Sequence, residues 1–137
     1  VEPGQLPASA EPDTLFRAIS ALPNAEAFWP AAVEAFPSSG KLWFGHGNSL
    51  WNQGRQQPAL DAFQRATRLA PGFAAAWNNL AYAQQALGDA EGASDSICRA
   101  HALAPQDKAI RNSVVELTGQ SCPDEASSAG STCCADN

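Results

Sequence analysis

Residues 40–73 read GKLWFGHGNSLWNQGRQQPALDAFQRATRLAPGF, and residues 74–107 read AAAWNNLAYAQQALGDAEGASDSICRAHALAPQD. Laid over each other at an offset of 34, they pair Trp43 with Trp77, Gly54 with Gly88, Ala59 with Ala93 and Asp61 with Asp95. The same offset pairs Arg65 with Arg99, Ala66 with Ala100, Leu69 with Leu103, Ala70 with Ala104 and Pro71 with Pro105. A fixed period of this length marks a stack of supersecondary units, each needing its neighbours to bury its apolar face. One step further back, Ala25, Trp29, Ala32 and Pro37 fall on Ala59, Phe63, Ala66 and Pro71, so a degraded copy precedes two good ones.

Each unit divides into two helices. Residues 40–53 and 74–87 place Trp43, Gly47 and Leu50, then Trp77, Leu80, Ala81 and Leu87, at helical spacing. Gly54 and Gly88 follow them, in the place where a helix commonly ends in the left-handed conformation. The second halves, 56–69 and 90–103, put Ala59, Phe63, Ala66 and Leu69, then Ala93, Ile97, Ala100 and Leu103, on one stripe. Pro71 and Pro105 stop them. The predicted unit is therefore an antiparallel helical hairpin whose alanines let two axes approach closely.

Working outward, residues 13–21 and 24–36 form a further predicted pair of helices, capped by Asp13 and Asn24, with Pro30 kinking the second. Residues 107–118 form a lone amphipathic helix that caps the last hairpin with Ile110, Val114 and Leu117. Residues 1–12 carry three prolines and read as a linker; residues 119–137 are small and polar and read as a flexible tail containing cysteines. The organisation is thus a linker (1–12), a helical repeat domain (13–118: a degenerate copy 13–37, copies 40–73 and 74–107, and a cap 107–118) and a tail.

The chain has 137 residues, 45% of them apolar and only 16% charged, against roughly a quarter charged in an average globular domain. It contains no methionine and opens at Val1, so it reads as a piece of a longer polypeptide. A net charge of −6 repels phosphate backbones, which excludes nucleic acid as the expected partner. The longest uncharged stretch, 69–88, contains Pro71, Asn78, Asn79, Gln84 and Gln85 and is no membrane span.

The pattern carried by Trp43, Gly47, Leu50, Ala59, Phe63, Ala66 and Pro71, and again by Trp77, Leu80, Ala81, Ala93, Ile97, Ala100 and Pro105, resembles the tetratricopeptide repeat. The resemblance implies an all-α fold, a right-handed superhelix of helical hairpins with a C-terminal capping helix. His46 stands where the family usually has leucine and Gln84 where it has tyrosine, departures that weaken two helix contacts. Residues 37–39, 42–50 and 76–81 are also similar to repeats that follow a papain-like (C39-like) peptidase domain in some bacterial envelope proteins. That finer likeness implies an accessory region of a larger enzyme, in the periplasm or cell envelope; without it, a cytoplasmic location is implied.

In the family the first helix of each hairpin lines a concave surface that holds peptides or partner helices. The matching places here are Lys41, Phe44, Asn48, Trp51 and Asn52 in the first good copy, Asn78, Tyr82 and Gln85 in the second, and Asn112 and Glu116 on the last helix. Amides donate to and accept from a peptide backbone, and flat aromatic rings dominate binding hot spots. Phe44 and Glu116 replace the lysine and arginine with which some members grip a terminal carboxylate, so a chaperone-tail clamp is not expected.

Cys98 and His101 lie three apart on one helix, with Asp95 a turn earlier, yet no oriented base or oxyanion site accompanies them. Cys98, Cys122, Cys133 and Cys134 are candidates for disulfides, with three full connectivities open; a zinc set drawn from them with His101 follows no compact spacing. His46 reads as a hydrogen-bonded core residue. There is no phosphate loop, HExxH or nucleophile elbow. The expected function is non-catalytic protein or peptide binding without a cofactor, with weak self-association allowed by so short an array.

Overall fold

The computed structural model describes residues 11–119, and among them every regular element is helical. The chain divides into two compact units, with the boundary after Pro71. The Pro-rich arm up to residue 10 and the tail from residue 120 lie outside the described residues.

The first unit contains α1 (Pro12–Ser20), a single 3-10 turn (Ala25–Ala27), α2 (Trp29–Ala35), α3 (Gly40–Asn52) and α4 (Gln56–Leu69). Helix α1 begins one residue earlier than the sequence suggests: Glu11 takes the capping place without a side-chain bond, and Asp13 sits in the first turn. There its carboxylate still faces the positive end of the helix dipole. Asn24 likewise caps only the 3-10 turn, and again without a side-chain bond. Pro30 does not kink a long helix; it lies in the first turn of α2, where a missing N–H costs nothing, and the chain before it forms the separate 3-10 turn. Leu15, Ile19, Phe28, Trp29, Ala32, Val33 and Leu42 form the core of this unit.

The second unit contains α5 (Ala74–Ala86), α6 (Ala90–Leu103) and α7 (Lys108–Thr118). Its core is Ala81, Ala93, Ile97, Ala100, Ile110 and Val114, with Trp77 and Leu117 partly buried against it. Helix α7 thus covers the hairpin as a cap, and Asp107 starts it by accepting the Ile110 N–H at 3.1 Å.

The repeated glycines terminate α3 and α5 in the same way. Gly54 and Gly88 have φ of 79° and 90°. Beyond them the N–H of Arg55 reaches Leu50 O at 2.9 Å, and that of Asp89 reaches Gln84 O at 2.8 Å. Gly54 N–H also bonds Trp51 O, and Gly88 N–H bonds Gln85 O, which completes a Schellman motif in each copy.

The apolar stripe of the second helices needs one correction. Leu69 and Leu103 are 42% and 45% exposed, and Leu87 is also exposed. Three residues after Ala66 a side chain has turned about 60° away from it, whereas four residues after it the deviation is only about 40°. The stripe therefore continues through Ala70 and Ala104. A Cβ built on Gly40 would lie 2.7 Å from the Ala70 methyl, which shows how closely the start of α3 meets the end of α4.

Candidate functional site

A pocket of about 450 Å³ opens in the first unit. Phe16 and Ser20 of α1 form one wall, Ala25 and Glu26 of the 3-10 turn another, and Trp29 comes from α2. The opposite wall is α3, through Gly45, Asn48, Ser49, Asn52 and, just past the helix, Gln53. Gly45 is required here, because a Cβ at this position would strike the Trp29 indole. That close approach seats α3 against α2 and brings Asn48 and Asn52, one turn apart, to the pocket.

An aromatic row runs beside it. Phe16 lies 5.7 Å from Trp29 and 6.4 Å from Phe44, and Phe44 lies 6.2 Å from Phe63, all tilted as aromatic pairs prefer. Phe44 therefore packs within the unit as part of this row. The Lys41 ammonium sits 5.7 Å from the Phe16 centroid. Trp51 is half-buried and Asn52 exposed.

In the second unit, Tyr82 donates to Glu116 Oε2 at 2.7 Å and lies 3.2 Å from Ser113 Oγ. Its hydroxyl ties α5 to α7. Burial pushes the Tyr82 pKa up, the Ser113 bond pulls it down, and the Glu116 carboxylate raises it again. Asn78 donates to Asn79 Oδ1 at 3.1 Å, while its own Oδ1 is buried without a partner. Gln85 and Asn112 are exposed. Of the residues expected to bind, the structure thus brings Asn48 and Asn52 to one pocket, and Tyr82 and Glu116 to one hydrogen bond. Phe16, Glu26 and Trp29 are pocket residues that the repeat register did not point to, because they belong to the degenerate copy.

The histidines depart from expectation. His46 is half-buried, its ring 5.9 Å from Trp43, and its Nδ1 has no partner, so it is not the hydrogen-bonded core residue that its place suggests. Burial lowers its pKa, and the Arg55 charge adds to this. His101 is 7% exposed, its Nδ1 is also unpartnered, and burial followed by the Arg111 charge lowers its pKa. Cys98 is disulfide-bonded. Cys122, Cys133 and Cys134 lie outside the described residues. Among the described residues no three His, Cys, Asp or Glu side chains gather as metal ligands.

The repeat seen in three dimensions has its counterpart in known proteins. The sequence profile described as "Tetratricopeptide repeat" matches residues 17–72 and 44–108. The chain belongs to the tetratricopeptide repeat family. Solved tetratricopeptide structures share the fold. The first such domain of Spaghetti (RPAP3), bound to the HSP90 peptide SRMEEVD, superposes with a TM-score of 0.65 at 18% identity, covering 69% of this chain and 75% of that one. Two structures of MamA give TM-scores of 0.67 and 0.68 at 22% and 21% identity. Each covers 80% of this chain, which spans 64% and 67% of theirs. No curated protein matches. Among the described residues no helix is long and apolar enough to cross a membrane.

Proposed function

We propose that this tetratricopeptide protein is a non-catalytic interaction module that holds a peptide or a segment of a partner protein. The observation that carries the reading is the pocket of about 450 Å³ between α1 and α3, which combines amide side chains with aromatic walls. A peptide backbone alternates donors and acceptors, and Asn48 and Asn52 are of the type that meets both. Aromatic surface beside them supplies the desolvated contact area from which binding energy mainly comes. Membership of a family whose relative holds a peptide supports the same reading. Asn78, Gln85, Asn112 and the Tyr82–Glu116 pair form a second proposed set on the other unit.

Peptide display against the whole chain, followed by titration of the enriched sequences, tests this. Asn48→Ala with Asn52→Ala is expected to weaken binding about tenfold, at roughly 0.5–1.5 kcal/mol per lost hydrogen bond. Enriched peptides that bind this double variant as well as the parent would move the site elsewhere.

A further inference from the structure

Resting on that reading, we propose that the pocket in the first unit selects a basic residue, lysine or arginine, in the partner peptide. Glu26 is the one charged side chain lining the pocket among the described residues, and its carboxylate only accepts hydrogen bonds. The neighbouring hydroxyl and amide are oriented to accept as well. Ser20 gives its hydroxyl hydrogen to Phe16 O at 2.7 Å, which turns the oxygen lone pairs outward. Gln53 spends one of its two Nε2 hydrogens on Ser49 Oγ at 3.0 Å, and its Oε1 can accept. A carboxylate with further acceptors beside it favours a group that is both cationic and donor-only, and the lysine ammonium and the arginine guanidinium are the side chains that carry that charge permanently near neutral pH.

The apolar wall agrees with the same occupant. Phe16 forms part of the pocket, and the Lys41 ammonium already rests 5.7 Å from its ring centroid. The ring thus attracts cations, and the stem of a basic side chain covers apolar surface while its head stays among polar groups. The net charge of −6 adds attraction at long range. This is the reverse of the chemistry that an acidic terminal peptide requires.

Peptides selected from a random phage-displayed library on the whole chain are expected to share a lysine or arginine at one position. Glu26→Gln should then weaken the basic peptide about 2- to 5-fold, as for an exposed ion pair, and leave its norleucine version unaffected. Glu34→Gln removes the same charge from an exposed place on α2 and should change nothing. Lys41→Met, which removes a competing cation, should tighten the basic peptide. Selected peptides with no shared basic position overturn the proposal, as do equal effects of Glu26→Gln and Glu34→Gln. If such peptides remain sensitive to the Asn48/Asn52 double variant, the interaction reading stands without it; if no peptide is enriched, both fall.

Discussion

Hairpin α3–α4 packs Phe63, 1% exposed, against Gly47: a Cβ on that glycine would lie 2.6 Å from the Phe63 ring. Hairpin α5–α6 fills the same two places with Ala81 and Ile97, which share one core cluster. A large and a minimal side chain in one copy become two intermediate ones in the other, so the volume of the seam is conserved while its residues are not. A second exchange is polar. Leu50 and Ala62 are buried in the first hairpin, whereas Gln84 and Ser96 at the equivalent places join through a Ser96 hydroxyl donated to Gln84 Oε1 at 2.6 Å. The tyrosine that the family pattern would place at Gln84 is thus replaced by a satisfied polar contact. What stays fixed is the frame: Trp43 under Arg65 at 4.9 Å, Trp77 under Arg99 at 5.1 Å, and the same glycine stop. Tetratricopeptide hairpins thus preserve helix separation and allow its chemistry to vary.

The seam exchange gives the largest expected effect. Phe63→Ala should cost about 3–5 kcal/mol in urea unfolding, because the small residue opposite cannot fill the void. Gly47→Ala should cost about 1–3 kcal/mol by overpacking. Adding Phe63→Ile to Gly47→Ala reproduces the pair of the second hairpin and should recover most of that loss; a double variant no better than the single one would show that the two seams are not equivalent.

The polar exchange ranks next. Ser96→Ala leaves the Gln84 oxygen without its donor and should cost about 1–2 kcal/mol, whereas Ser96→Ala with Gln84→Leu copies the first hairpin and should be close to neutral. A coupling near zero in that double-mutant cycle would separate the two residues energetically. Below this, Arg65→Ala and Arg99→Ala should each cost about 0.5–1 kcal/mol and do so alike, as exposed cation–π contacts do.

The smallest effect near neutrality concerns His46, whose counterpart in the second hairpin is Leu80. Its folded pKa lies below the ordinary value of 6.5, so the unfolded chain takes up the proton first. The stability it permits is present above about pH 6.5 and is lost as pH falls through that value toward the folded pKa. His101 acts with the same sign in the second unit. His46→Leu should flatten part of the acid-side slope in the urea midpoint measured from pH 7.5 to 5, and an unchanged slope would assign all of it to other groups.

The repeat and its punctuation were legible in the chain. Trp43 and Trp77, the alanine stripes, the two glycines and the two prolines fixed four helices and their hairpin pairing, because each acts locally through helical period or backbone conformation. The degenerate copy was less legible. Pro30 sits where a kink would form in a continuous helix, and only the packed structure makes it the first turn of a short one. The same holds for the site. Register pointed to Asn48 and Asn52, but Phe16, Glu26 and Trp29 join them only because the missing Cβ of Gly45 lets α3 close on Trp29.

The amino-acid sequence by itself determined that this protein is built of antiparallel helical hairpins with a capping helix, since periodicity and chain-stopping residues operate over a turn or two. Tertiary packing alone decided that Tyr82 is tied to Glu116 and that a pocket opens beside Phe16 and Trp29. Those outcomes depend on which atoms meet between helices distant in sequence, and a single missing methyl is enough to settle them.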